Sequence, residues 1–266
     1  MSTGQPQSVG TLLRDWRQRR RMSQLDLACE AEISTRHLSF LETGRSQPSR
    51  DMLLHLAERL EVPLRERNLL LVAAGYAPVF PERPLDDPAL QDARRAISLV
   101  LAGHEPYPAL AVDRHWNLQA ANNGVAPFLV DIPPFLLQPP VNVLRLSLHP
   151  EGLAPRIANL AEWRAHVLGR LRRQIDLSGD QVLADLLAEL AAYPLGRSAG
   201  PPPAERAHTE AVVSLQLITP AGRLTFFTTT MVFGTPIDIT LSELALESFF
   251  PADEATAQAM RRLSDR

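Results

Sequence analysis

The residues best suited to chemistry in this 266-residue chain lie in a short polar stretch that begins at Ser34. Leu38 and Leu41 follow at helical spacing and predict one buried face. The outward-facing positions of the same helix are Thr35, Arg36, His37 and Phe40. Arginine can make a bidentate contact with guanine, threonine can hydrogen-bond a base edge, and an apolar group can meet the methyl group of thymine. These positions therefore predict a helix that reads the major groove of DNA.

Two predicted helices must position this surface. Ser23 and Asp26 form a capping-box signature, which predicts a helix over Gln24–Ala31. Ser34 begins the next helix, and Gly44 is suited to the left-handed cap that ends it. Two short helices joined by a turn of about three residues form a helix-turn-helix.

Three further helices complete the prediction for the N-terminal region. Apolar residues keep a spacing of three to four from Val9 to Trp16. Pro48-Ser49 precedes a fourth helix, and Pro63 is suited to the first turn of a fifth that ends near Gly75. We therefore predict an all-α bundle of five helices over residues 1–76.

This region resembles a known family of DNA-binding domains. Residues 9–75 are similar to the five-helix, lambda-repressor-like domain of the XRE/Cro family of bacterial and phage regulators. The motifs Ser34–Arg45, Pro48–Arg50 and Pro63–Asn68 resemble its MmyB-like branch. The resemblance implies that Gln24 and Arg45 contact DNA phosphates.

The resemblance also implies roles for the residues of the recognition helix. It places Thr35, Arg36 and Phe40 where base-edge readers lie, and we include the flanking Ser34 and His37 in the predicted DNA-binding surface. For Phe40 the alternative is packing at the edge of the domain. For Arg36 the alternatives are a phosphate contact or a solvated side chain.

Two other positions of the bundle carry expectations. Arg17 and Glu42 match a pair that supports the domain, in which the arginine also touches the DNA backbone. The family usually has Gly in the turn where this chain has Glu32, and a left-handed conformation there would cost glutamate about 1 kcal/mol. The structural alternative for the whole bundle is a module that binds protein.

Composition excludes several classes of protein. All 27 basic residues are Arg, the net charge is −3, and residues 1–75 hold 11 Arg against 9 acidic residues. The single Cys29 excludes an internal disulfide and a zinc site, and we expect it to be a structural residue rather than a redox switch. We see no run of apolar residues long enough to span a membrane and no secretory signal over Met1–Gly10. These features predict a cytoplasmic protein that does not interact with membranes.

Proline-rich segments divide the rest of the chain. Residues 77–88 predict a stiff linker, and residues 89–266 a second domain, with long loops at Pro133–Pro140 and Gly196–Pro203. The predicted helices of this domain are Pro88–Ala102, Leu153–Leu177 and Gln181–Ala192. The predicted strands are Pro108–Trp116, Leu118–Ala121, Ala211–Thr219, Arg223–Phe233 and Ile237–Leu241, with a hairpin turn at Pro220–Gly222. Helices between two sets of antiparallel strands indicate an α+β fold.

The second domain resembles the PAS-like domain of MmyB-like regulators. The matching segments are Val112–Asn122, Asn142–Leu146 and the helix at Trp163. The resemblance implies a cavity between an antiparallel sheet and helices. It also implies a small hydrophobic ligand, a fatty acid or another acyl compound, and we expect no other cofactor and no metal.

Several side chains are candidates for contact with that ligand. Trp163, His166 and Arg170 share one helix face, which could hold an acyl tail and bind a carboxylate head group. The alternative is that Trp163 is core while His166 and Arg170 reach solvent. The further candidates are Trp116, Asn122 and Arg145. For the last two the alternatives are a turn cap and an ion pair.

These expectations combine into one function. We expect a homodimeric, sequence-specific DNA-binding transcription regulator that responds to a small hydrophobic ligand. The alternative is a constitutive regulator or antitoxin-like DNA-binding scaffold with a structural second domain. Because the sequence shows no nucleophile elbow, phosphate loop, metalloprotease motif or dinucleotide fingerprint, we expect no enzymatic activity.

Overall fold

The computed structural model describes residues 8–194 and 213–264, which form two compact units. The first unit holds residues 8–84 with the short segments Asp176–Ser178 and Thr235–Ser242, and the second holds the remaining described residues. The predicted loop at Gly196–Pro203 and the start of the predicted strand Ala211–Thr219 lie outside the described residues. None of the described helices combines the length and apolar character that a membrane crossing requires.

The first unit contains the five predicted helices. They are α1 (Val9–Arg19), α2 (Gln24–Glu30), α3 (Thr35–Glu42), α4 (Arg50–Arg59) and α5 (Leu64–Ala73). Their apolar faces meet in one core, where Leu13, Leu27 and Leu38 have no exposed surface. Gly10 allows α1 to approach α3 closely, because a Cβ there would lie 2.5 Å from the Leu41 carbonyl oxygen.

Capping side chains define the ends of these helices. Ser23 and Asp26 form the predicted capping box, and the hydroxyl groups of Ser34 and Ser49 cap α3 and α4. Gly44 has the predicted left-handed conformation, with φ +73°. Glu32 has φ +55°, so glutamate does adopt the left-handed conformation that the sequence called into question.

The proline-rich segment after α5 is held by side chains of the first unit. The Asn68 amide donates to the carbonyl oxygen of Phe80 and accepts the backbone N–H groups of Val79 and Phe80. Arg83 forms an ion pair of 2.9 Å with the buried carboxylate of Asp238. The segment is thus anchored over residues 79–83 by specific hydrogen bonds.

The predicted strand Ile237–Leu241 is wrong. This segment forms the short helix α10 (Ile239–Ser242), and the Asp238 carboxylate accepts the backbone N–H of Thr240 at 2.9 Å. Because the backbone donors are satisfied by this local cap and by Pro81, whose carbonyl accepts the N–H of Ile239, the segment does not join the sheet.

The second unit is an α+β domain, as predicted. Its helices are α6 (Gln91–Gly103), α7 (Val143–Leu148), α8 (Leu160–Ser178), α9 (Gln181–Ala192) and α11 (Glu254–Ser264). Its strands are β1 (Ala109–Val112), β2 (Leu118–Ala121), β3 (Leu215–Thr219), β4 (Gly222–Val232) and β5 (Ala245–Pro251). They form one antiparallel sheet in the order β2-β1-β5-β4-β3.

The two faces of this sheet pack against different helices. Side chains alternate along each strand, so Leu246 packs against Ile97 and Leu101 of α6, whereas Phe249 contributes to the main core. On that second face, the core includes Trp163 and Leu171 of α8 and Leu183 of α9. The sheet and these helices are the expected walls of a PAS-like cavity.

Candidate DNA-binding surface and ligand cavity

The outer face of α3 is open to solvent. Leu38 and Leu41 have no exposed surface, which fixes the rotation of the helix about its axis. Thr35 and Arg36 are consequently exposed at its N-terminal end, and His37 and Phe40 are half-buried. Ser34 is exposed as well, but its hydroxyl accepts the backbone N–H of His37 at 3.1 Å, so it acts as the helix cap.

Phe40 organises two arginines of this surface. The guanidinium carbon of Arg36 lies 5.4 Å from the centre of the Phe40 ring, and that of Arg45 lies 5.8 Å from it. Both distances are within the range of a cation–π contact. The ring therefore holds the predicted base reader and the predicted phosphate contact next to each other, a role that the sequence prediction missed.

Arg17 forms the predicted supporting pair with Glu42. Its side chain is buried, and its Nε and Nη2 donate to the two carboxylate oxygens of Glu42 at 2.7 and 2.9 Å. A third donor, Nη1, is bound to the carbonyl oxygen of Met22. These three hydrogen bonds make Arg17 a support of the bundle, and its contact with the DNA backbone stays a prediction.

Gln24 joins the same network. Its amide Nε2 donates to the Glu42 carboxylate at 2.8 Å, while the side chain stays half-buried at the start of α2. Burial alone would raise the pKa of the Glu42 carboxyl, but hydrogen bonds from Arg17 and Gln24 outweigh it and lower the pKa below its usual value. The network therefore fixes the relative positions of α1, α2 and α3.

The second unit contains a partly open cavity of about 340 Å³ between the sheet and its covering helices. This volume lies in the range of small-molecule sites, about 300–1,000 Å³. Its lining is almost entirely apolar, with Leu144 and Leu146 from α7, Phe226 from β4 and Phe249 from β5 among the wall residues. The site favours a ligand that is mainly hydrocarbon.

The predicted stripe on α8 faces this cavity. Trp163, His166, Val167 and Arg170 all belong to its lining, as their spacing of three and four residues requires. The Trp163 indole N–H donates to Ser147 Oγ at 2.9 Å, and the His166 ring stacks on Trp163 with centroids 5.6 Å apart. Burial, and then the positive charges of Arg170 and Arg173, lower the pKa of His166, which favours the neutral imidazole.

Trp116 reaches the cavity from the turn between β1 and β2. The Asp113 carboxylate accepts the backbone N–H groups of His115 and Asn117, which tightens this turn and gives Trp116 a φ of +67°. The indole N–H of Trp116 is bound by Gln174 at 2.9 Å, and its ring lies 4.5 Å from the guanidinium carbon of Arg170.

Glu247 is the site residue that the sequence prediction missed. Arg170 donates to both of its carboxylate oxygens, at 2.6 and 3.0 Å, and only 6% of the Glu247 side chain is exposed. Thr230, its cross-strand partner on β4, also donates to the carboxylate at 2.9 Å. Once β5 is known, alternation along the strand would have placed Glu247 on the cavity face.

Asn122 and Arg145 are not part of the cavity lining. The buried Asn122 amide binds backbone groups of Leu101, Tyr107 and Ala109. Arg145 forms a bidentate ion pair with Glu189, with both distances 2.7 Å. Their predicted role as ligand contacts is therefore corrected to the structural alternatives, a turn support and an ion pair.

Comparison with known families agrees with this geometry. Residues 8–70 match a helix-turn-helix domain, and residues 93–263 match the ligand-binding domain of MmyB-like transcription regulators. No curated protein matches the chain. The second match covers well over half of the sequence, and both resemblances noted in the sequence are confirmed. The chain belongs to the family of MmyB-like transcription regulators.

Proposed function

We propose that this regulator binds a specific DNA sequence through the outer face of α3. Thr35 and Arg36 would contact base edges, and Gln24 and Arg45 would contact phosphates. The observation that carries this proposal is the exposure of Thr35 and Arg36 at the N-terminal end of α3, the part of a recognition helix that enters the major groove.

The expected active form is a homodimer. Two recognition helices about 34 Å apart would meet successive major grooves on one side of the duplex, which predicts a palindromic operator.

We infer that the second unit binds a small ligand with an acyl chain. Its support is the apolar cavity, whose wall of leucine and phenylalanine side chains is suited to hydrocarbon. Binding would change the affinity of the protein for its operator. This requires two conformational states of the protein, one that binds DNA and one that does not, and a ligand that binds more tightly to one of them than to the other.

We further propose that the cavity binds its ligand without transforming it, and that the protein acts in the cytoplasm. Ser147 lines the cavity and its hydroxyl accepts a hydrogen bond from the Trp163 indole N–H, and within the described residues no hydrogen bond joins Ser147 to His166. Within residues 8–194 and 213–264, no cluster of His, Cys, Asp or Glu is arranged to hold a metal ion.

The direct experiment is selection of duplexes from a random library by the full-length protein, followed by affinity measurements at several salt concentrations. We expect a palindromic sequence bound about 10³-fold or more tightly than unrelated DNA. Enrichment of no sequence, with equal affinity for all duplexes, would contradict the proposal. Sedimentation of the complex measures whether two chains occupy each duplex.

A further inference from the structure

The charges in the cavity are already balanced. Arg170 and Glu247 are its two charged lining residues within the described chain, and they neutralise one another through two hydrogen bonds. Arg173, three residues further along α8, is exposed, and burial together with the two arginines lowers the pKa of His166, which disfavours a positive charge on its ring. Among the described residues, the cavity lining therefore offers no uncompensated positive charge.

A ligand carboxylate would meet an unfavourable site here. To take the two hydrogen bonds that Arg170 donates to Glu247, it would have to displace Glu247, whose carboxylate would remain almost fully buried without its cation. A ligand carboxylate bound beside the pair would place a second negative charge near Glu247 in apolar surroundings. Both the burial and the neighbouring charge disfavour the ionised form of the ligand. The sequence predicted that Arg170 binds a carboxylate head group. That prediction did not include Glu247, which already binds Arg170.

We propose that the cavity selects acyl-chain ligands whose polar head group is uncharged, such as an alcohol, ester or amide, and that Glu247 excludes the free fatty acid. This inference rests on the proposed ligand-binding function and adds the chemical class of the head group. Glu247 thus acts as a specificity determinant, because it lowers the affinity of the cavity for a ligand with a carboxylate head group.

Neutral hydrogen-bonding groups are present for such a head group. His166 lines the cavity, and no hydrogen bond engages its ring within the described residues. Ser147 accepts the Trp163 indole proton and keeps its own hydroxyl proton to donate. Both side chains line the cavity and contact Trp163, so each can hydrogen-bond to a hydroxyl or carbonyl oxygen of a ligand.

Three ten-carbon probes test this inference on the full-length protein at pH 7.5: 1-decanol, methyl decanoate and decanoate. They share the hydrocarbon chain and differ at the head. Titration calorimetry, supported by the fluorescence of the cavity tryptophans, gives the dissociation constants. We expect the two neutral probes to bind, and decanoate to bind about tenfold or more weakly.

Glu247→Gln tests the cause of the selectivity. Glutamine keeps the shape and can still accept a hydrogen bond from Arg170, but it leaves the positive charge uncompensated. We expect decanoate affinity to rise about tenfold or more, with little change for 1-decanol. Glu189→Gln is the matched control, since it removes the same charge from the Arg145 ion pair outside the cavity lining. It should leave all three affinities unchanged.

The outcomes separate the inference from the function on which it rests. Decanoate binding as tightly as 1-decanol to the wild-type protein would overturn the inference while leaving an acyl-binding cavity intact. Failure of all three probes to bind would overturn the proposed acyl ligand and the inference with it. Unchanged decanoate affinity in a folded Glu247→Gln would overturn the role of Glu247, and the wild-type comparison keeps the inference falsifiable if that variant does not fold.

Discussion

Glu32 lies in the turn between α2 and α3 with a φ of +55°, a conformation that glycine adopts at little cost. We predict that Glu32→Gly stabilises the first unit by about 1 kcal/mol, because the unfavourable contact of Cβ with the backbone is lost. The measurement is a urea titration followed by the NMR signal of the buried Trp16 indole, which reports on this unit.

Glu58→Gly is the control for that prediction. Glu58 is exposed near the end of α4 in a helical conformation, so glycine there should destabilise the unit by about 0.5–1 kcal/mol. Equal destabilisation by both substitutions would contradict the interpretation of the Glu32 turn.

Arg45 is exposed beside the Phe40 ring and follows the glycine that ends α3. A phosphate contact carries no sequence information, so Arg45→Ala should weaken binding to all duplexes alike. Fluorescence anisotropy at several salt concentrations should show the logarithmic salt slope reduced by about one. Arg262→Ala, which removes one exposed arginine from α11, should not change the slope. A loss confined to particular sequences would instead assign Arg45 to base contacts.

At the scale of elements, the Arg17–Glu42 pair joins α1 to the end of α3 and makes the first unit sensitive to acid. The pKa of Glu42 is lower in the folded state than its usual value, so the unfolded chain takes up the proton first as the pH falls. The stabilisation is therefore complete above the usual carboxyl pKa and is lost as the pH falls through the lower folded value.

The Trp16 signal measures this pH dependence. We predict that the free energy of unfolding of the first unit falls in the wild-type protein as the pH drops below 4.5, the usual carboxyl value, and that Glu42→Gln flattens this fall while lowering stability at pH 7. An equally steep fall in Glu42→Gln would show that other carboxyls cause the acid sensitivity.

The helices of the bundle could be predicted because their signals are local. Serine caps, Gly44 and the three-to-four spacing of leucines fix α2 and α3 within a residue or two. The hairpin of β3 and β4 was likewise predicted from the Pro220–Gly222 turn, and Gly222 has φ +109°. Short-range signals of this kind do not depend on the rest of the fold.

The fifth strand could not be predicted in the same way. Ile237–Leu241 is rich in β-branched residues, yet the buried Asp238 caps a helix there and binds Arg83, 155 residues earlier in the chain. The true strand carries Glu247, whose burial depends on Arg170 and Thr230 from distant segments. Contacts between residues so far apart in the chain leave no local sequence pattern. The cavity-facing side chains of α8 could therefore be predicted, whereas Glu247, the partner of Arg170, could not.

At the scale of the whole molecule, ligand and DNA affinities should be linked. If binding in the cavity changes operator affinity by some factor, operator binding must change ligand affinity by the same factor. We predict a change of about 5-fold or more in operator affinity at saturating 1-decanol, with the reciprocal change in the 1-decanol dissociation constant.

Anisotropy with labelled operator and calorimetry with the protein–DNA complex measure the two sides of this linkage. Glu189→Gln should show the same coupling as the wild-type protein. Identical operator affinity with and without saturating 1-decanol would contradict the proposed regulation and favour a second domain with a structural role.

The most direct test of sequence reading by α3 compares wild-type protein and Arg36→Ala on the selected operator and on a set of duplexes with one base pair changed. We predict that Arg36→Ala loses about 1–3 kcal/mol on the operator and no longer discriminates at one base pair in each half-site, while preferences at other positions remain. If Arg36→Ala kept the wild-type affinity and every wild-type base preference, the proposal that Arg36 on the exposed face of α3 reads the sequence would be wrong.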